Sequence, residues 1–261
     1  MANYIKSECY RAIHTKWVYG ITALLAGLTI LFNVVIWLLT AFDPEFRYGT
    51  SSYSFSNLVA EPMAYCIVAF LIAAILYEGE RRNGTRKNSI SNGISRTSLF
   101  LGKCFVSLAV SLAILIPVMA AYIGSGLLLL PQKGPVTVQD MLLEIPAVSL
   151  VAVSSLVLGI LMLEIFERTV VGILAWYVIM FGIPKVLYLL SFKLAFLYPV
   201  ALWMPANFFN NFSSPYMAVR MGECSVIWDT VPGMARCLAA GGAGVLLFGV
   251  CGVCILRKRD A

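Results

Sequence analysis

Few residues in this chain have a type and spacing that could carry out chemistry, and each of them falls short of a complete site. Gly102-Lys103-Cys104 has the form of a phosphate-binding loop's tail, in which backbone amides and a lysine cradle phosphates. Position 97 is Thr where the first glycine belongs, and Cys104 replaces the Ser or Thr that would reach magnesium. Cys251-Gly-Val-Cys254 has redox spacing but lies in an apolar run, where thiols act as packing groups. Of the seven cysteines, only Cys224 and Cys237 lie where an oxidising exterior would reach them. His14 is the single histidine and sits near the N-terminus, which excludes histidine-based metal sites and Ser/His or Cys/His dyads within the apolar segments. Three carboxylates, Glu61, Glu144 and Glu164, fall at the ends of predicted spans, where a carboxylate anchors the chain at the interface. Drawn into a span, they would serve a proton or ion path. Met63, Tyr65, Trp176, Tyr177 and Met180 either line a substrate path or pack between helices. No catalytic group, metal or cofactor is expected in this chain, which reads as no enzyme.

The elements that carry these residues are dictated by composition. The chain has 261 residues, 60 % hydrophobic and only 12 % charged, about half the charged share of a soluble domain. Its net charge of +6 points to anionic lipid headgroups and not to nucleic acid, because the cations cluster beside apolar segments. The first such segment, residues 17–42, is too long for a signal-peptide core and is expected to remain as a span. The fold class is therefore all-α integral membrane protein, a single transmembrane domain over residues 1–261. Six spans are predicted at about 17–42, 60–78, 103–130, 146–164, 169–190 and 236–256. Residues 1–16 fit an amphipathic interfacial helix with Ile5, Cys9, Ala12 and Ile13 on one face. Residues 43–58 and 131–145 read as polar outer loops, and Pro117 as a bend in the third span. The stretch 191–235 is aromatic and broken by Pro199, Pro205 and Pro215, which suits re-entrant outer helices; a seventh span is the competing reading. Ala239, Ala240, Ala243 and Gly244 give the last span a small-residue face for close packing within the bundle or against a second copy.

The one long polar run between spans is Glu78–Lys103, with Arg81, Arg82, Arg86, Lys87, Arg96 and Lys103. Lysines and arginines beside spans resist translocation, so this segment belongs on the cytoplasmic side with both termini. That topology places thirteen Lys/Arg inside and six outside, while the acids divide almost evenly. Thr85 as N-cap and Gly93 as a C-terminal stop predict a short helix over 85–92.

Within that run, Glu80, Gly84-Thr85, Lys87-Asn88, Gly93, Arg96 and Gly102-Lys103 resemble the pattern that follows the second span of ABC-2 type transporter permeases. The family usually has Pro or another turn former near the position of Gly93. The resemblance implies that Glu80, Gly84, Thr85, Arg86, Lys87, Asn88, Gly93, Arg96 and Lys103 form a coupling segment on which cytoplasmic ABC ATPase subunits dock, two per transporter. It also implies a second permease copy or homologue, ATP and magnesium bound by the partner, and export of an amphipathic or hydrophobic substrate such as a peptide antibiotic across a bacterial plasma membrane. Arg86, Lys87 and Arg96 would pair with ATPase acids or anchor in lipid; Gly84, Asn88 and Gly93 would give the fit. The alternative is a stand-alone channel or secondary transporter that uses no nucleotide. Absence of an internal repeat weighs against an inverted-repeat carrier.

Overall fold

Small polar residues and prolines punctuate the apolar sequence into helices, and the described residues contain no strand. The computed structural model describes residues 2–43, 45–82, 91, 93–166, 168–209 and 226–260, without the side chains of 2, 3, 80–82, 259 and 260. We number the helices α1 (Ala2–His14), α2 (Lys16–Phe42), α3 (Ser51–Val59), α4 (Met63–Arg82), α5 (Arg96–Leu129) and α6 (Val138–Ile165). They continue as α7 (Thr169–Tyr177), α8 (Ile183–Ser191), α9 (Tyr198–Leu202), α10 (Pro205–Phe208) and α11 (Val231–Asp260). Five helical stretches are long and apolar enough to cross a membrane: α2, α5, α6, the α7–α8 unit and α11. The count is six if the bent pair α3–α4 is one span.

Several boundaries differ from expectation, each for a local reason. Residues 51–59 are not an outer loop. Thr50 Oγ1 accepts from the Tyr53 amide at 3.2 Å and starts α3, whose Ser51, Ser52, Ser54, Phe55, Ser56 and Val59 are all buried. α3 meets α4 at a 65° bend, so the short apolar stretch predicted as the second span is one limb of a bent pair, a broken span or a re-entrant loop. α5 begins at Arg96, a turn or more before the expected span, because Ser95 Oγ accepts from the Ser98 amide at 3.2 Å. It continues through Pro117 to Leu129. α6 begins at Val138 and not 146, because the Thr137 amide donates to Asp140 at 2.6 Å; Pro146 lies inside it. Glu144 is thereby carried into a helix. The five-residue π-turn Val178–Gly182 precedes Pro184, which has no amide to continue the regular ladder, and joins α7 to α8. In 191–235 the broken character is seen in a 3-10 turn at Ala195–Leu197, in α9 and α10, and in a second turn at Ile227–Asp229; residues 210–225 lie outside the described ones. α11 starts at Val231, a turn earlier than expected.

Helix α6 is the hub. Its apolar window is 72 % buried, against 11 % for α2 and for α11. α4, α7 and α11 pack on it, and α2 packs on α5. Glycines set the closest approach: a Cβ on Gly241 of α11 would lie 2.7 Å from the backbone of Leu150 and Val151, and one on Gly159 of α6 would lie 2.2 Å from the Phe70 ring. Phe70 stacks on Trp176 with centroids 3.9 Å apart, and Trp176 Nε1 donates to the Ser155 carbonyl at 3.1 Å. Ser155 Oγ in turn donates to the Cys66 carbonyl at 3.1 Å, so one indole ties α4, α6 and α7 together. Of the expected small-residue face of α11, Gly244 is used within the chain against α6, together with Gly241 beside it, while Ala239 and Ala243 are exposed. The α1 helix is present, but Tyr4, Glu8 and Ala12 turn to the bundle while Ile13 is 59 % exposed, a rotation from the expected face. Gly102 makes room for the Tyr4 ring, to which a Cβ would come within 2.8 Å.

The α6–α11 seam predicts that Gly241→Val, which must displace main chain, destabilises the bundle by about 1–3 kcal/mol. Gly242→Val, whose Cβ meets nothing within 4 Å, leaves stability unchanged. Thermal unfolding of both variants in micelles compares them.

Candidate binding cavity

Two features stand out once the helices are assembled: a cavity between them and a polar lock at one end. We call the end carrying α1, the start of α5 and Arg257-Lys258 the basic end, and the opposite end, with residues 45–51 and 130–137, the far end.

The cavity measures about 530 Å³. α4 and α5 form its floor, and α2 and α6 its sides. Because α2 packs on α5 while α6 packs on α4 and α11, a cleft remains between α2 and α6. Its walls are mostly aliphatic, as with Leu25, Val68, Leu115 and Val148. Glu61, exposed at the α3–α4 bend, is the one ionisable carboxylate, and no Lys, Arg or His, on its border among the described residues. Tyr65 reaches the cavity from α4. Its hydroxyl lies 3.3 Å from Glu144 Oε2 and 3.6 Å from Met119 Sδ, and donates to the carboxylate. Glu144 is fully buried behind Tyr65, and its Oε1 has no hydrogen-bond partner among the described residues.

The cavity's far-end corner is held by a buried polar network. Ser54 Oγ donates to Asn33 Oδ1 at 2.5 Å, Asn33 Nδ2 donates to the Tyr122 carbonyl at 3.1 Å and to Ser125 Oγ at 2.7 Å, and the Tyr122 hydroxyl donates to the Ser54 carbonyl. These bonds pin α3 between α2 and α5. Val136 N–H adds a bond to Ser52 Oγ at 3.0 Å. Outside the spans, Asp229 is held above its ordinary carboxylate range by partial burial, opposed by the Val226 amide and assisted by Asp140. The folded state thus holds a proton more tightly than the unfolded chain, so this turn gains stability as pH falls through the range just above the ordinary carboxylate value.

At the basic end, Lys103 is 5 % exposed, and its Nζ lies 3.1 Å from Glu164 Oε1 and 4.3 Å over the Tyr77 ring. Glu8, itself paired with Arg11, borders the same small space as Tyr77 and Lys103. Glu78 Oε2 accepts from Thr169 Oγ1 at 2.6 Å, joining the end of α4 to the start of α7.

The residues singled out from sequence separate into distinct places. Gly84, Thr85, Arg86, Lys87 and Asn88, and with them the 85–92 helix except Ser91, lie outside the described residues, as does the Glu80 side chain. Gly93 has φ +82°, a left-handed conformation that fits a helix stop. Arg96 is half-buried at the start of α5. Lys103 is buried, with its ammonium paired to Glu164 in the interior. Glu144 and Glu164, expected at span ends, are buried within α6, Glu164 in its last turn. Of the proposed path residues, Tyr65 borders the cavity. Met63, Trp176 and Met180 are core, and Tyr177 is 55 % exposed on the outside of α7. The Asn33–Ser54–Tyr122 network was missed; its signal was an amide in an uncharged apolar run and a serine cluster at 51–56. Among the described residues no group of three or more His, Cys, Asp or Glu could hold a metal ion. Comparison with protein-family models, with curated proteins and with solved structures finds no match to the chain.

Removing one partner of the Lys103–Glu164 pair strands a buried charge, so Lys103→Met is expected to cost about 3–5 kcal/mol. The double variant Lys103→Met/Glu164→Leu recovers most of that loss, and a double-mutant cycle read by thermal unfolding measures the difference.

Proposed function

We propose that the chain is the membrane-spanning subunit of an ATP-driven exporter of the ABC-2 permease type. In this reading α3–α4 is one broken span, giving six, with both termini, α1 and the basic end on the cytoplasmic side of a cell membrane. The observation that carries it is the placement of the cavity floor: α4 and α5, which form it, are the two helices that the basic segment joins. Force applied to that segment therefore acts on the cavity wall directly.

The mechanism follows from rigidity. Lys103–Glu164 and Glu78–Thr169 tie the roots of α5 and α4 to α6 and α7, so the segment cannot shift without moving those helices as a unit. Closure of two partner ATPase subunits would rock α4 and α5, and the cleft between α2 and α6 would admit an amphipathic or hydrophobic substrate from the lipid side. A peptide antibiotic is the expected case. ATP and magnesium belong to the partner, and a second permease copy completes the assembly. The second reading is a stand-alone channel or secondary transporter, and the observation that favours it is the buried carboxylate of Glu144.

Single cysteines at 84–93 should be labelled by membrane-impermeant reagent only from the cytoplasmic side. The tagged chain purified from its own membranes should carry ATP hydrolysis with it. Gly93→Ala, strained at positive φ, and Asn88→Ala should lower ATP-driven transport about tenfold, the scale of an intersite coupling energy, while insertion is unchanged. Labelling from outside, or transport that persists without nucleotide, removes the exporter reading.

A further inference from the structure

The charge on the cavity is one-sided. In a chain of net charge +6, the cavity is bordered by one carboxylate, Glu61, and by no Lys, Arg or His among the described residues. A second carboxylate, Glu144, stands directly behind Tyr65. Two buried polar atoms there lack partners within the described residues. One is Glu144 Oε1; the other is Ser111 Oγ, whose residue is 9 % exposed and borders the cavity. Buried polar atoms are nearly always hydrogen-bonded, so an orphan on a cavity wall marks a place where a ligand supplies the partner. Ser111 lies two turns from Met119 along α5, or about 12 Å toward the basic end, so the polar points are spread along the cavity and not gathered at one spot.

Resting on the reading of this cavity as the substrate site, we propose that it selects lipophilic cations, with the positive charge held near Glu61 and Tyr65 and the apolar body extended toward Ser111. Three effects act together. Attraction between opposite charges strengthens as water is excluded, and the same surroundings repel an anion. Phe32, Tyr65 and Tyr122 line the cavity, and aromatic rings attract a cation through their quadrupoles. The volume of about 530 Å³ falls in the range of pockets that enclose drug-sized molecules. A donor group on the ligand body would satisfy Ser111.

Tetraphenylphosphonium and tetraphenylborate share size and shape and differ in the sign of charge. Binding of each to the full chain in nanodiscs of zwitterionic lipid is measured by equilibrium dialysis, with empty nanodiscs subtracted. The expected result is saturable binding of the phosphonium and none of the borate. Glu61→Gln weakens phosphonium binding roughly fivefold, a modest factor because that carboxylate is exposed; Glu144→Gln weakens it further. Glu61 is at the surface, so its variant folds whatever happens at Glu144. Rhodamine 6G, a lipophilic cation with N–H donors, binds in the same assay and loses affinity on Ser111→Ala, whereas the donor-free phosphonium does not. Equal binding of cation and anion, or phosphonium affinity unmoved by Glu61→Gln, overturns the proposal. The assay contains no nucleotide and no ATPase, so its outcome is independent of the coupling experiment, and either can fail alone.

Discussion

Interior polar groups in a bundle with an apolar exterior must be met by other parts of the same chain. Lipid offers them nothing, and an orphaned donor or acceptor costs on the order of 1–3 kcal/mol. The structure follows from how that requirement is met. Asn33, Ser54 and Tyr122 satisfy one another and thereby fold α3 into the interior. Trp176, Ser155 and the Cys66 carbonyl do the same across three helices, and Lys103 neutralises Glu164 at the basic end. Two of the places where the requirement is left open among the described residues, Glu144 Oε1 and Ser111 Oγ, lie in or just behind the cavity wall.

This distribution separates rigid parts from a receptive one. α6 is gripped on several sides by α4, α7 and α11, with glycines allowing main-chain approach at Gly241. α2 touches the rest mainly through α5, and the cleft beside it is where the cavity lies. The two ties at the basic end, Lys103–Glu164 and Glu78–Thr169, bracket the polar segment in sequence and fasten α5 to the hub and α4 to the neighbouring α7.

Much of the helical layout was legible from residue order. Long apolar runs specify α2, α5, α6, α7–α8 and α11 because a helix satisfies its own backbone without help from its surroundings. Prolines and glycines marked the breaks: Gly93 takes the expected left-handed turn, and a π-turn precedes Pro184. What misled was polarity taken as exposure. Ser51–Ser56 read as a loop, and Lys103, Glu144 and Glu164 as surface groups, because hydroxyls, ammonium and carboxylates ordinarily face water. Each instead faces a partner far along the chain, such as Tyr122 for Ser54 or Glu164 for Lys103.

By itself, then, the sequence determined the helical class, the apolar lengths and the asymmetry of charge, all of which are local or additive properties of residues. Only the tertiary structure decided which polar residues go inside, that Tyr65 borders a cavity while Met63, Trp176 and Met180 fill the core, and that Glu61 is the one acidic or basic side chain on that cavity among the described residues. Those facts depend on pairs such as Tyr65 and Glu144, brought within 3.3 Å across 79 positions, and helix periodicity carries no record of which face meets which.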